Sequence, residues 1–194
     1  MIKQAIVLCG GGGKRMLSIT KGEISKCLIN VGERPFIYFI IQMLKGMGCV
    51  DIVLLARDKR RQFEILEDDI VRVSAIADDD ITPDSKITIK DEILAVTDLQ
   101  DIFVLMTGDQ LPIGNWQGFA EVWKPKVAVK IIGRDTGMAI VTKGMIESGE
   151  IDPKDFKDMM KKLPNYMMLG TLHVGTSEGL RRAQQFIDIA VYGQ

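Results

Sequence analysis

The chain has 194 residues, of which 46% are hydrophobic and 26% are charged, and its formal net charge at pH 7 is −1. This length and composition predict one globular domain over residues 1–194 with a sizeable core, and the near-neutral charge argues against nucleic-acid binding. No stretch is long enough to span a membrane, and the three cysteines have no paired spacing. We therefore expect a cytoplasmic protein with free thiols, no zinc site and no membrane partner.

The first predicted strand, at residues 3–9, leads directly into four glycines. Its residues 5–9 are a continuous apolar run, which is typical of a buried parallel strand. The glycines at 10–13 allow the backbone to approach a ligand closely, and the cations Lys14, Arg15 and Lys26 follow. Backbone N–H groups and fixed cations around a bare loop suit a polyphosphate. The sequence therefore predicts a phosphate-binding loop here.

The elements that follow alternate between strands and helices. In chain order we first predict a mobile loop at 14–25, an extended piece at 28–31 and a turn at 32–34. A buried helix then begins at Pro35 and is ended by Gly46 and Gly48. After it we predict a strand at 51–56, a surface helix at 58–67 and a strand at 71–76. Residues 86–97 are ambiguous between strand and helix, and we favour a strand with Ile87 and Ile89 followed by a helix.

The second half continues the pattern. We predict a strand at 101–106, a helix at 117–123, strands at 127–132 and 138–141 around a turn at 133–137, a helix from Pro153 to about Lys162, an extended segment at 166–174 and a final helix capped by Thr176. Strands alternating with helices predict a three-layer α/β/α sandwich around a Rossmann-like, mixed but mainly parallel sheet.

Two polar residues stand at the ends of predicted strands. Asp109 follows the strand at 101–106, where open α/β sheets bind ligands, although a turn residue is the alternative interpretation. His173 is the only histidine, and it is either a ligand or a structural residue at a strand end.

Two well-known phosphate loops are excluded by counting. A Walker loop requires Ser or Thr after Gly-Lys, but Arg15 follows Lys14, and Leu8 stands where the first glycine is needed. The dinucleotide fingerprint requires a third glycine, which would fall on Arg15 or Met16. A different loop is therefore present.

The remaining pattern is Gly10-Gly11-x-Gly13-x-Arg15, then Ile24-Ser25-Lys26, then Arg34-Pro35-Phe36-Ile37-Tyr38. On these motifs the chain resembles the sugar-1-phosphate nucleotidyltransferases (NDP-sugar pyrophosphorylases), and in the last two it looks most like glucose-1-phosphate thymidylyltransferases. The resemblance resumes at Leu105-Met106-Thr107-Gly108-Asp109 and at Leu172-His173-Val174-Gly175-Thr176-Ser177-Glu178.

The resemblance implies a nucleotide-diphospho-sugar transferase fold and the Mg²⁺-dependent transfer of a nucleoside monophosphate from a nucleoside triphosphate to a sugar-1-phosphate or similar phosphate, with release of pyrophosphate. It implies these roles: Leu8 near the nucleoside; Gly10, Gly11 and Gly13 on the nucleotide phosphates; Arg15 and Lys26 as nucleotide-binding and catalytic cations; and Asp109 as a catalytic residue and metal ligand. His173 stands at the family's second metal position, although imidazole suits transition metals better than Mg²⁺. Family members often form homo-oligomers.

Two alternatives remain open. The family's segment that reads the base has no counterpart in residues 78–98, and its segment that helps bind the sugar has none after 127–132. These losses favour a catalytically inactive member of the fold that senses nucleotides or binds a partner. A cofactor-phosphate guanylyltransferase is the other alternative: the chain length supports it, whereas the interval between Arg15 and Lys26 argues against it.

Overall fold

A seven-stranded sheet forms the centre of the fold in the computed structural model, which describes residues 2–10, 14–74, 88–114, 130–132, 137–153, 165–167 and 170–192. The strands, including those of two small sheets, are β1 (Gln4–Leu8), β2 (Asn30–Val31), β3 (Arg34–Pro35), β4 (Asp51–Leu55), β5 (Val71–Ser74), β6 (Ile102–Thr107), β7 (Gln110–Ile113), β8 (Lys130–Ile132), β9 (Met138–Thr142), β10 (Asn165–Met167) and β11 (Gly170–His173).

The order of the central sheet is β10-β8-β9-β6-β1-β4-β5. The β1–β4, β4–β5, β1–β6 and β8–β10 pairs are parallel, whereas β9 runs antiparallel to both β6 and β8. The predicted mixed, mainly parallel sheet is confirmed. Because β1 and β6 are parallel neighbours, the segments that follow Leu8 and Thr107 leave the sheet at the same edge.

Helices cover both faces of this sheet. They are α1 (Leu17–Thr20), α2 (Phe36–Gly46), α3 (Ile89–Leu94), α4 (Lys143–Glu147) and α5 (Ser177–Tyr192). Alternate residues of β1 point to opposite faces: Val7 packs in a core with residues of α2 and α5, whereas Ile6 packs in a second core with residues of α3 and α4. The predicted three-layer arrangement follows from this alternation.

The two small antiparallel sheets pair segments that neighbour predicted site residues in sequence. The β2–β3 hairpin precedes α2, and β7 pairs with β11 so that Gln110 lies opposite His173. This second pairing brings the C-terminal part of the chain to the residue next to Asp109.

Several local predictions are wrong. The segment predicted as a loop at 14–25 contains a 3-10 turn at Lys14–Met16 and then α1, and Pro35 is the residue before α2 rather than its first residue. The helix predicted at 58–67 is two 3-10 helices, Arg57–Gln62 and Glu64–Leu66. Arg57 has a left-handed φ of 49°, which does not fit an α-helix, and Lys59 interrupts the first 3-10 segment.

The structure also changes the assignment of Ile89 and adds two elements. Ile89 begins α3 because Thr88 and Asp91 form a reciprocal capping box, so it does not belong to a strand. The sequence analysis does not predict β7, where Pro112 argues against a strand, or α4, which Thr142 caps.

Some predicted elements fall wholly or partly outside the described residues. They are Ala75 and Ile76 of the strand at 71–76, Ile87, the helix at 117–123, residues 127–129 of a later strand, the turn at 133–136 and the helix after Pro153. The final helix and its cap are confirmed, because the Gly179 amide donates to the Thr176 hydroxyl at 3.1 Å.

Asp51 links three strands at the edge of the sheet opposite the glycine loop. Its carboxylate accepts hydrogen bonds from Arg72 at 2.8 and 2.9 Å and from Gln4 Nε2 at 2.6 Å. Burial raises the Asp51 pKa, but these hydrogen bonds and the Arg72 charge outweigh it, so the pKa lies below its ordinary value.

We expect Asp51→Asn to lower the free energy of unfolding by about 1 kcal/mol at pH 7, because the carboxylate is partly exposed and loses charge-assisted hydrogen bonds. Because the folded pKa is lowered, this contribution is present above the unfolded pKa near 4 and is lost as the pH falls through the folded value. Urea unfolding of the wild type and the variant at pH 7 and pH 3 measures the loss of stability and its dependence on pH. Asp69→Asn, at an exposed position, is the control. An unchanged difference at pH 3 would contradict the prediction.

Candidate active site

The glycine loop leaves the sheet at the carboxyl end of β1. The amides of Cys9 and Gly10 both donate to the Leu55 carbonyl, at 2.9 and 3.0 Å, and the Gly108 amide donates to the Leu8 carbonyl at 2.9 Å. These bonds extend the pairing of β1 with both neighbours up to the first glycine. The start of the loop therefore lies between β4 and β6.

The structure brings together three residues that the sequence analysis selects separately. Lys26 Nζ lies 2.5 Å from Asp109 Oδ2, and His173 Nε2 lies 3.4 Å from the same oxygen. The side chain of Asp109 is 7% exposed and that of Lys26 is 20% exposed. We call these three residues the Lys–Asp–His cluster.

Asp109 is anionic in this cluster. Burial raises its pKa, but the hydrogen bond to His173 and the charge and hydrogen bond of Lys26 outweigh burial and hold the pKa well below its usual range. The cluster thus combines a buried carboxylate with a cation that is itself partly open to solvent.

Hydrogen bonds fix the chain at Asp109 and just before Lys26. The Asp109 carbonyl accepts from the Val174 amide at 3.0 Å, which fixes Asp109 against the residue after His173. Before Lys26, the Ser25 amide donates to Gln62 Oε1 at 2.9 Å and the Ser25 hydroxyl donates to the Cys9 carbonyl at 3.4 Å. The Lys26 segment is therefore tied to the residue that opens the glycine loop.

At two glycines in or beside the site, a larger residue would be too close to neighbouring side chains. A Cβ on Gly108 would lie 2.9 Å from Cys27 Sγ and 3.0 Å from Cys9 Sγ. A Cβ on Gly175 would collide with the His173 ring and lie 3.1 Å from Asp109 Oδ2. Both thiols are buried, and burial together with the hydrogen bond that the Cys9 thiol makes to Cys27 raises the pKa of Cys9 well above its usual value. The thiols beneath the site are packing groups.

The other predicted site residues are not all described. Leu8 ends β1, and Gly10 follows it at the edge of a pocket. Arg15 lies in the 3-10 turn after the loop with an exposed side chain. Gly11 and Gly13 lie outside the described residues. The structure therefore describes the strand end before the loop and, after the loop, the predicted site residue Arg15.

Two polar side chains near Asp109 in sequence are not among the predicted site residues. Within the described part of the chain, Thr107 Oγ1 and Gln110 Oε1 are buried without a hydrogen-bond partner. A Cβ on Gly137 would collide with Thr107 Oγ1 and lie 2.6 Å from Gln110 Oε1. The sequence signal that could have identified Thr107 and Gln110 is their position on either side of Gly108-Asp109. Both oxygens can accept from a ligand's hydroxyl, and the Thr107 hydroxyl can also donate to a phosphate oxygen.

Two pockets open beside the strand ends. The first is lined by the apolar residues Leu8, Leu55 and Ile89, by Gly10, and by an ion pair in which Arg57 Nε lies 2.5 Å from Glu92 Oε1. The second is more polar and lies against the cluster; its lining residues are Leu172, His173, Thr176, Glu178, Gly179 and Arg182. The sequence analysis does not select Arg57 or Glu92, which are far apart in the chain and carry no motif.

The Lys–Asp–His cluster contains one side chain that suits Mg²⁺. No group of three or more His, Cys, Asp or Glu side chains that could hold a metal occurs among the described residues. Asp109 supplies a carboxylate oxygen, and Mg²⁺ is commonly held by one carboxylate together with phosphate oxygens and water. His173 fits poorly, because imidazole is not a ligand that Mg²⁺ prefers. Within the Lys–Asp–His cluster, Asp109 is therefore the residue that fits the metal role.

The N-terminal part of the chain is similar in sequence to known nucleotidyltransferases. Residues 5–86 match the model of the MobA-like NTP transferase domain. A D-glycero-alpha-D-manno-heptose 1-phosphate guanylyltransferase of Campylobacter jejuni is 37% identical over 65 residues, which are 34% of this chain and 28% of that protein. A glucose-1-phosphate thymidylyltransferase of Xanthomonas campestris is 40% identical over 53 residues, 27% of this chain and 18% of that protein. The matches thus span under a third of these relatives.

Solved structures extend the likeness to the whole fold. A UDP-glucose pyrophosphorylase from Acinetobacter baumannii has a TM-score of 0.70 and 15% identity, and the comparison covers 98% of this chain and 95% of that one. Among the described residues, no helix has the length and apolar character needed to span a membrane. The predicted resemblance to the sugar-1-phosphate nucleotidyltransferases is therefore confirmed in the N-terminal part of the chain, and the chain has the fold of these enzymes.

Proposed function

We propose that this chain is a nucleotidyltransferase that transfers a nucleoside monophosphate from a nucleoside triphosphate to a sugar-1-phosphate or a related phosphate. The observation that carries this proposal is the contact between Lys26 and Asp109 at the carboxyl ends of two parallel strands, beside the first residue of a glycine loop. Such an edge is where α/β sheets bind ligands, and the pair supplies the opposite charges that phosphate and metal require. The names of the matched relatives support the same reaction class.

The reaction requires little covalent chemistry from the protein. An oxygen of the acceptor phosphate attacks the α-phosphorus, a new P–O bond forms, and the bond to the bridging oxygen breaks so that pyrophosphate leaves with the electron pair. Positioning and charge neutralisation carry the catalysis. Lys26 neutralises the α-phosphate and the incoming phosphate, and Arg15 stabilises the departing pyrophosphate with its forked guanidinium.

We further propose that the glycine loop holds the nucleotide phosphates through Gly10, Gly11 and Gly13. Asp109 is the protein's ligand for Mg²⁺, which when bound neutralises phosphate charge and orients the reacting groups. Thr107 and Gln110 stand on either side of Gly108-Asp109. The buried Thr107 hydroxyl can donate to a phosphate oxygen of the acceptor, and Gln110 Oε1 can accept from one of its hydroxyls.

Release of pyrophosphate tests this proposal. Each nucleoside triphosphate is incubated with Mg²⁺ and a panel of sugar-1-phosphates, and the pyrophosphate formed is measured. We expect turnover with at least one pair and a loss of about 100-fold or more in kcat/KM in Lys26→Ala, because a charge that neutralises the transition state is removed. Lys45→Ala, which removes an exposed lysine from another ion pair, is the control and should retain full activity. No turnover with any pair would contradict the proposal.

A second candidate function is a non-catalytic nucleotide sensor. His173 at the predicted second metal position, together with the engagement of Asp109 by both Lys26 and His173, favours it. Thermal unfolding with each nucleotide separates the two functions: stabilisation by a nucleotide without pyrophosphate release supports the sensor, and turnover excludes it.

A further inference from the structure

The first pocket combines apolar walls with one buried charge. Leu8, Leu55 and Ile89 give it apolar surfaces, and its polar side chains among the described lining residues are Arg57 and Glu92. A planar heterocycle suits such a pocket, because its faces can pack on aliphatic side chains while its edge meets a few polar groups. The pocket also adjoins Gly10, so an occupant lies directly beside the phosphate loop.

The ion pair in this pocket is asymmetric. The Glu92 side chain is 9% exposed, whereas the Arg57 side chain is 37% exposed. Burial raises the Glu92 pKa, and the nearby charge of Arg57 opposes that rise. A buried ion pair generally adds little stability compared with apolar residues of the same size, so stability alone does not account for a buried carboxylate at an apolar pocket.

The backbone supports a specialised role for the pair. Arg57 adopts a left-handed φ of 49°, a conformation that costs a residue with a Cβ free energy and is concentrated at functional sites. A Cβ on Gly10 would lie 2.9 Å from Arg57 Cδ, so the stem of Arg57 packs directly on the first loop glycine. Gly10 is therefore in contact with Arg57, which in turn pairs with Glu92.

We infer that this pocket takes the base of the nucleoside triphosphate and that Glu92 makes it selective for guanine; this inference rests on the proposed function. Guanine presents two adjacent donors, N1–H and the 2-amino group, which one carboxylate accepts together. It also presents the O6 acceptor, which the Arg57 guanidinium can reach as a donor. Uracil and thymine present a single N–H between two carbonyls, and a carboxylate repels those carbonyls. Adenine and cytosine place an acceptor beside their amino group.

Equilibrium binding of single nucleotides with Mg²⁺ to the purified protein tests this inference. We expect GTP to bind about 100-fold more tightly than UTP or dTTP, since these pyrimidines offer Glu92 one donor instead of two and place carbonyl oxygens against its buried charge. ITP, which lacks only the 2-amino group, should bind about tenfold more weakly than GTP. The comparison of GTP with ITP uses the wild-type protein alone and so does not depend on a variant that folds.

Glu92→Gln assigns the selectivity to this side chain. The amide keeps the shape but removes the charge, so we expect the preferences for GTP over UTP and over ITP to fall to about threefold or less. Glu64→Gln removes an exposed carboxylate from another ion pair and should leave both preferences unchanged. Thermal unfolding verifies that each variant folds.

The outcomes separate the inference from the function on which it rests. Binding of nucleoside triphosphates without a preference for guanine overturns the inference and leaves the proposed function standing. A guanine preference that survives in folded Glu92→Gln also overturns it. If no nucleotide binds at all, both the inference and the proposed function fail.

Discussion

Lys26→Met is expected to lower the free energy of unfolding by about 3 kcal/mol at pH 7. The methionine keeps the length of the aliphatic stem but removes the ammonium 2.5 Å from Asp109 Oδ2. Asp109 then keeps a negative charge in a buried position, with only His173 close to the same oxygen among its described ion-pair partners. An uncompensated buried charge is among the most destabilising changes a single substitution makes. Urea unfolding at a fixed pH measures the difference.

Lys45→Met is the matched control. Lys45 Nζ lies 2.9 Å from Asp68 Oδ2, but 49% of the Asp68 side chain is exposed, so water replaces the lost partner. We expect this substitution to cost about 0–1 kcal/mol. In addition, Lys26→Met combined with Asp109→Asn should cost less than the sum of the two single substitutions, because the double variant leaves no unpaired charge. Equal costs for the two lysine substitutions would refute the expected role of burial.

Gly179→Ala is expected to destabilise the protein by about 3 kcal/mol. A Cβ at this position in the first turn of α5 would collide with the backbone carbonyl oxygen of His173 and lie 3.1 Å from Thr176 Oγ1. Because the obstacle is backbone, the helix has to move away from β11, and the cap at Thr176 is strained as well. Thermal and urea unfolding measure the loss.

Gly46→Ala is the corresponding control within another helix. A Cβ at Gly46, the last residue of α2, meets no atom within 4 Å. Alanine restricts the unfolded chain and favours the helix, so we expect a gain of about 0.5 kcal/mol. The space around each Cβ therefore predicts opposite signs for the two substitutions. A similar loss in both variants would show that contact with the His173 carbonyl is not the cause.

The central strands are the part of the fold that the sequence predicts well. The apolar residues 5–7, 52–55 and 103–106 are buried, and continuous apolar runs of this kind have few alternatives to parallel strands between helices. The same reasoning brings Asp109 to the ligand-binding edge, and the structure places Lys26 beside it. The roles of these residues in binding and catalysis remain predictions.

The parts that sequence reasoning misses depend on contacts between distant residues. β7 contains Pro112, which argues against a strand, and it exists because β11 pairs with it. The segment after β4 has a helical pattern of charges, but the left-handed Arg57 replaces the α-helix with 3-10 turns. The contact between Arg57 and Glu92 has no sequence signal, since neither residue belongs to a motif and their side chains meet only when α3 packs on the sheet.

One contact between the two ends of the described chain affects how the protein is made. The Gly32 amide in the β2–β3 turn donates to Gln184 Oε1 on α5 at 2.7 Å, across 152 positions of sequence. During synthesis the N-terminal strands and α2 emerge from the ribosome long before this partner does. His173, the last member of the Lys–Asp–His cluster to be synthesised, also emerges late. Ribosome-bound chains that stop before residue 170 therefore lack both the hydrogen bond between Gly32 and Gln184 and the completed Lys–Asp–His cluster. We therefore expect the site to assemble only late in translation.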